Sequence, residues 1–360
     1  MLTGPSLEFC SLIERNFERA NDTGAVQVIS EEPADCFVVS VERSSLTCAD
    51  GTADNATATI VMRGGVIRDI VAKKNSYDSR VLDFSWRLSF TGYEELAHFV
   101  LNLVKTPSTA VQNQLYVAGE ICKERSCHHI ARIHCPDDAV LLRLIAESQP
   151  AVLTGLLNEW RVETWSAAAL ESEFGRYQMV SYLPWTVRDY TRPTNPRYTT
   201  GVGLPGVLWK HFPAPASLRS VATLGFPQLW LGASERQERS VTGLHADTVQ
   251  GFLCHVFGRK RILLYSPDQE SLVYPLRAFN TYRSCWTGPD AIDYQTYPRF
   301  RDAHALEVIL EAGEVLFIPL GWFHCVFALD LVMSISYPVE RYQPTPAQLK
   351  YAARASAEGP

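Results

Sequence analysis

The sequence predicts a small α+β unit followed by a mainly-β barrel or double sheet, and three observations carry that prediction. Residues 6–105 combine helical and strand patterns. From Pro150 onward the texture changes to short apolar runs separated by Gly and Pro, as expected of strands buried on both faces. The 360 residues, 46% hydrophobic and 20% charged, suffice for two cores at about 100–200 residues per domain. Disorder is excluded as the main theme.

Leu7, Leu12, Ile13 and Phe17 are spaced to give one apolar helical face. Cys36–Val41 and Ala56–Met62 are short β-branched runs, with Asp50-Gly51 and Gly64-Gly65 marking turns. Val66, Ile67, Ile70 and Val71 suit a helix, Leu82–Leu88 alternates like a strand, and Leu96, Phe99, Val100 and Leu103 suit a closing helix. Residues 106–149 read as a linker and bridging helix, with Leu141, Leu142, Leu144 and Ile145 as its stripe. Cys122, Cys127, His128, His129, His134 and Cys135 are all metal-ligand types. They lack the paired spacing of a structural zinc site and read as buried thiols and surface imidazoles. Residues 150–345 form the β-rich domain, with a strand entering a turn at Pro150–Leu156 and further strands at Leu229–Gly232, Gly251–Phe257, Ile262–Tyr265 and Val315–Ile318.

Charge narrows the partners. Lys plus Arg number 33 against 39 Asp plus Glu, which disfavours a broad grip on nucleic acid or an anionic membrane. Residues 1–110 carry 10 basic and 15 acidic side chains, and no basic patch emerges. Nine scattered cysteines, an odd number, point to a reducing cytoplasm rather than a disulfide scaffold. The N-terminus has no basic start leading into an apolar run. Val315–Ser336 is long enough to imitate a membrane span, but Pro319, Gly321, His324 and Asp330 make it two buried strands and a turn, so no transmembrane segment is expected.

His245-Ala246-Asp247 is the first chemical signal, because residues two apart on a strand project from one face and can reach a single metal. The surface alternative is a hydrogen-bonded pair. Seventy-nine residues after His245, the stretch Gly313–His324 places His324 just beyond a buried strand and tight turn. Two histidines and one carboxylate make a facial triad.

Pro150–Leu156, Leu229–Gly232, the His245/Asp247 pair, Gly258-Arg259-Lys260-Arg261 followed by Leu264 and Pro267, and Ile318–His324 ending in Ser334-Ile335-Ser336 together resemble the JmjC/cupin-like iron and 2-oxoglutarate dioxygenases, closest to the hydroxylase-type members. The resemblance implies a double-stranded β-helix (jelly roll) with Fe(II) held by His245, Asp247 and His324. It implies that 2-oxoglutarate and dioxygen are cosubstrates, and that Lys260 pairs with the distal carboxylate of 2-oxoglutarate, with Thr242 as a second donor. Oxidation then needs no catalytic residue beyond the metal ligands, and a carboxylate at Asp247 argues against a halogenase. Two positions depart from the family: Gly251 stands where many relatives carry Asn, and Tyr337-Pro338 offers no amide. Tyr182 and Tyr198 are candidates for a tyrosine sharing the distal carboxylate. His255 reads as a satisfied core histidine. Aromatics between Tyr274 and His304 either wall a substrate pocket or pack among themselves.

Residues 6–105 resemble the sterol-carrier-type lipid-binding fold in element order and in phrases such as Ala58-Thr59-Ile60-Val61 and Leu88-Ser89-Phe90-Thr91-Gly92. The expected activity is hydroxylation of an unactivated carbon in an amino acid, a peptide or another small metabolite. The other reading is a non-catalytic cupin docking module with a vestigial metal site. A homodimer is among the expected states.

Overall fold

A computed structural model describes residues 2, 4–72, 87–179, 185–192 and 196–341. The chain forms two compact units, one of residues 1–108 with 276–283, the other of residues 109–275 with 284–360.

In the first unit, helix α1 (Gly4–Asn16) precedes strands β1 (Gly24–Glu31), β2 (Ala34–Val41), β3 (Leu46–Asp50) and β4 (Ala58–Met62), then α2 (Val66–Val71), β5 (Leu88–Gly92) and α3 (Glu94–Asn102). The strands make one sheet of order β3-β2-β1-β4-β5, with β1 and β4 parallel. β1 and β3 were not anticipated from the pattern, and the expected strand at Leu82–Leu88 falls mostly outside the described residues. Alternate residues of the sheet, such as Val26, Val28, Phe37, Val39 and Ile60, meet Phe9 and Ile13 of α1 and Leu96 and Val100 of α3 in one apolar core. Ala278 belongs to that core. Its neighbour Arg277 pairs with Glu18 at 3.0 Å and donates its backbone N–H to the same carboxylate.

The second unit is a jelly roll. Helix α4 (Thr109–Glu124), strand β6 (Ala131–His134) and helix α5 (Asp138–Ala146) lead into β7 (Ala151–Thr154). Asp137 caps α5 by accepting from the Val140 N–H at 2.8 Å. Strands β8 (Val202–Gly203), β9 (Thr223–Leu224), β10 (Gln228–Gly232), β11 (Thr242–Asp247), β12 (Gly251–Phe257), β13 (Lys260–Tyr265), β14 (Tyr282–Ser284), β15 (Leu306–Leu310), β16 (Val315–Ile318), β17 (Phe323–Ala328) and β18 (Val332–Arg341) follow. One sheet has the order β6-β7-β16-β12-β18-β10-β8, with β9 paired to β18, and the other β14-β11-β17-β13-β15. The apolar run at 315–336 therefore contains β16, β17 and the start of β18, three strands rather than the two expected. Asp330 lies in the β17–β18 connection, where its carboxylate pairs with Arg259 at 2.8 Å.

Strand alternation divides the side chains into layers. Val152, Leu253, Leu316 and Ile318 of the larger sheet meet Ile262, Leu264, Val308, Leu310 and Val326 of the smaller one inside the barrel. Phe252, Cys254, Phe317 and Ile335 point the other way and pack under Leu141, Leu170, Val187 and Leu218 of the covering helices. Phe300 and Tyr274, two of the aromatics from the long insertion, belong to the outer layer of the smaller sheet. Each fully buried large apolar side chain stabilises the fold by about 1.5–3 kcal/mol. Among the described residues no helix is long and apolar enough to cross a membrane.

Candidate metal centre

His245 and Asp247 occupy β11, and His324 lies directly opposite His245 on β17. Leu244 and Ala246, the intervening residues, pack in the outer layer, so alternation turns His245 and Asp247 inward. The β17 strand obeys the same rule, with Phe323 and Cys325 outside and Val326 inside. One ligand atom from each of the three residues lies within 4.8 Å of the others. No other group of three or more His, Cys, Asp or Glu side chains converges in this way among the described residues. The Cys122–Cys135 region offers no such cluster: Cys122 is buried against Ser148, and His134 turns Nδ1 to the Thr154 hydroxyl.

Hydrogen bonds settle the tautomers. His245 Nδ1 meets the Gly243 carbonyl at 2.8 Å, and His324 Nδ1 meets the Trp322 carbonyl at 3.0 Å. A carbonyl only accepts, so each Nδ1 carries the proton and each Nε2 keeps its lone pair. Those Nε2 atoms stand 3.8 Å from Asp247 Oδ1 and Oδ2 respectively. Two ligands each about 2.1 Å from one ion can be up to about 4.2 Å apart, so both separations suit a shared metal. Burial pushes His324 down to about 4, reinforced by neighbouring His245, which keeps it neutral and able to ligate near pH 7.

Support comes from the turn before β17. Gly321 has φ 80, a conformation that favours glycine, and its N–H donates to the Asp247 carbonyl at 3.1 Å. Trp322 is buried, and its indole N–H donates to the Ser148 carbonyl at 2.9 Å. The end of β11 and the start of β17 are thereby held together.

Deeper in the barrel lie Thr242, Lys260 and Tyr198. Simple alternation would set Thr242 and His245, three residues apart, on opposite faces. The ladder slips between them, however: Thr242 pairs with Val326 while His245 pairs with His324. This bulge at Gly243 returns Thr242 to the inner face and supplies the carbonyl that holds His245. Lys260 is 1% exposed and heads the inner face of β13. Its ammonium has no hydrogen bond or ion pair among the described residues, and burial alone lowers it to about 7. Tyr198 faces it, with Nζ 5.5 Å from the ring centroid. Burial raises the Tyr198 phenol, and the Thr242 hydroxyl opposes that shift. Both hydroxyls are buried and face each other, and neither makes a hydrogen bond of ordinary length and angle among the described residues. A cation and two buried hydroxyls thus converge on one spot, and among the described residues no anion stands there, an arrangement suited to a carboxylate.

Of the two tyrosines considered from the sequence, Tyr198 stands at this spot and Tyr182 lies outside the described residues. His255 is fully buried and satisfied, bonded through Nδ1 to the Ser334 hydroxyl and through Nε2 to the Gly258 carbonyl, both at 2.8 Å. Burial first, then Lys260, depresses it to about 3, so it is neutral.

A jelly roll with a His-Asp-His cluster in its mouth defines a cupin-type protein, and the comparisons agree. Residues 210–339 match the family model of the cupin-like domain. The chain is 38% identical over 98 residues to lysine-specific demethylase 8 of Xenopus tropicalis, covering 27% of this chain and 22% of that protein. It is 36% identical over 107 residues to JmjC domain-containing protein D of Dictyostelium discoideum, covering 29% and 23%. It is 37% identical over 101 residues to 2-oxoglutarate and iron-dependent oxygenase JMJD4 of Danio rerio, covering 27% and 24%. The chain carries a cupin-like domain of the JmjC type. It spans under a quarter of the length of each of these three relatives. The family match leaves the sterol-carrier resemblance of residues 6–105 without support.

Proposed function

We propose that this chain is an Fe(II)- and 2-oxoglutarate-dependent oxygenase that hydroxylates an unactivated carbon of an amino acid, a peptide or another small metabolite. The observation that carries the reading is the buried Lys260 ammonium, which has no counter-ion among the described residues, in the same barrel as two histidines and a carboxylate whose ligand atoms converge within 4.8 Å. His245, Asp247 and His324 would hold the iron through one face, leaving adjacent positions for a chelating 2-oxo acid and dioxygen. Lys260, with Thr242 and Tyr198, would bind the far carboxylate of 2-oxoglutarate. Lys260 pairs with Ala328, four residues from His324 along β17, or about 13 Å. A lysine side chain and a five-carbon diacid together bridge that interval.

Bound iron would supply oxygen activation coupled to conversion of 2-oxoglutarate to succinate and carbon dioxide. The chain's own residues orient the diacid and exclude water. No side chain is needed to move a proton from the substrate carbon, in keeping with a site whose other buried imidazole, His255, is fully engaged. One relative is named as a 2-oxoglutarate and iron-dependent oxygenase and another as a lysine demethylase. Both kinds of chemistry can begin with oxidation of a C–H bond. A docking module with a vestigial site would have no use for a buried lysine whose isolation costs stability. Nine cysteines, all free, support a reducing cytoplasmic setting.

The test is anaerobic titration of the protein with Fe(II) and then 2-oxoglutarate, followed by oxygen-dependent release of succinate. The expected results are one iron per chain and a weak visible charge-transfer band that needs both ligands. Absence of metal-dependent 2-oxoglutarate binding would sink the proposal.

A further inference from the structure

The wall opposite the triad carries a polar relay that the roles above leave unused. Gln228 of β10 pairs with Ser336 of β18, and Ser336 pairs with Leu253 of β12. Leu253 lies two residues beyond Gly251, which follows Asp247 after a short connection, and His245 lies two residues before Asp247. Trp230, two residues from Gln228, and Leu253 belong to the cluster inside the barrel, so the Gln228–Ser336 row lies on the inner face of the larger sheet.

Along this row the Trp230 indole N–H donates to Ser336 Oγ at 2.8 Å, and the Ser336 hydroxyl donates to Gln228 Oε1 at 3.3 Å. The single serine proton goes to the amide oxygen, which turns the glutamine NH2 away from Ser336. That NH2 has no hydrogen-bond partner among the described residues. Gly201 backs the relay closely: a Cβ there would stand 3.1 Å from the Trp230 ring and 3.4 Å from Gln228 Oε1. Nearer the barrel mouth, a Cβ at Gly251 would meet only the Tyr337 carbonyl, at 3.7 Å. This wall thus presents an oriented pair of N–H donors on the inner face of the larger sheet.

We infer that Gln228 is a ligand-binding residue of this site, donating from its amide to the metal-facing carboxylate of 2-oxoglutarate, with Ser336 and Trp230 as positioning residues that set the amide's direction. The inference rests on the oxygenase reading. Lys260 occupies the deep end of the barrel, so the carboxylate at the metal is the other one. An amide from Gln228 then does from β10 what an asparagine at position 251 could do from β12.

The experiment measures metal affinity and 2-oxoglutarate affinity separately on the full chain, anaerobically, with Fe(II) or Mn(II). Gln228→Leu is expected to weaken 2-oxoglutarate about tenfold or more while metal affinity stays within twofold. Gln228→Glu should weaken it further, because a carboxylate then faces a carboxylate. Ser336→Ala should give a smaller loss and a shifted visible band, since the amide is present but no longer aimed; a purely structural role would move neither at constant metal affinity. If Gln228→Leu also loses metal, the near-isosteric Gln228→Glu decides alone. Wild-type protein that binds metal but not 2-oxoglutarate would refute the oxygenase reading, and this inference with it. Wild-type binding with unchanged 2-oxoglutarate affinity in both glutamine variants would overturn the role of Gln228 only.

Discussion

His245 and His324 are direct cross-strand partners with ring centroids 4.3 Å apart, and each donates Nδ1–H to the carbonyl two residues before it in its own chain segment. The two imidazoles are thus held in the same tautomer by the same local device, with both Nε2 atoms near Asp247. Because the backbone sets this geometry, removing one ligand should leave the other two in place. His245→Ala and Asp247→Ala are each expected to lower Fe(II) affinity by more than about 100-fold, above the usual loss for a residue that only supports a ligand, and to abolish the visible band. Full band intensity in both variants would contradict the ligand assignment.

Lys260 makes a second, opposite pair of expectations. Lys260→Ala should weaken 2-oxoglutarate by about 10- to 150-fold, corresponding to about 1.5–3 kcal/mol for a bond to a charged group, with metal affinity nearly unchanged. Lys260→Met, which keeps the length and removes the buried amine, should melt at a higher temperature than the wild type. A 2-oxoglutarate dissociation constant within a factor of two in Lys260→Ala would show that another residue holds that carboxylate.

The depressed Lys260 predicts a pH dependence. Its value is about 7 in the folded protein and about 10.4 in an unfolded chain. Between these limits the unfolded state binds more protons, so this residue's contribution to stability rises with pH across the window and is lost as pH falls to about 7. Ligand binding runs the other way. A carboxylate beside Lys260 favours the ammonium, so binding above pH 7 takes up a proton, and affinity falls as pH rises. His255 and Tyr198, which face Lys260, stay neutral across this range. Calorimetry at pH 8 in two buffers of different ionisation enthalpy should register the uptake; identical heats would contradict it.

Ala278 tests the first unit. It is 7% exposed and lies in the core formed by residues 1–108, although residues 109–275 of the other unit precede it in sequence. Ala278→Asp puts an unpaired charge into that core and should destabilise it by about 3 kcal/mol or more. Hydrogen exchange should rise in α1 and β1–β4 while the Fe(II) affinity of the barrel stays the same. Unchanged exchange in α1 would remove Ala278 from that core.

By itself the sequence determined what depends on local period. His245 and Asp247 share a strand face because side chains alternate every residue, and Leu253, Leu264 and Leu316 could be read as buried because their strands are continuously apolar. The turn at Gly321, with His324 after it, was legible for the same reason. Only the tertiary structure decided what depends on register and on chain returning from a distance. Thr242 joins His245 on the inner face because of a bulge, and a bulge leaves no mark in a period-two pattern. Tyr198 sits in an irregular segment, so nothing in its spacing separated it from Tyr182 until the fold set it over Lys260. Gln228 and Ser336 are 108 residues apart, and their pairing is set by which strands lie side by side, a long-range choice that a hydrophobic pattern narrows but does not specify.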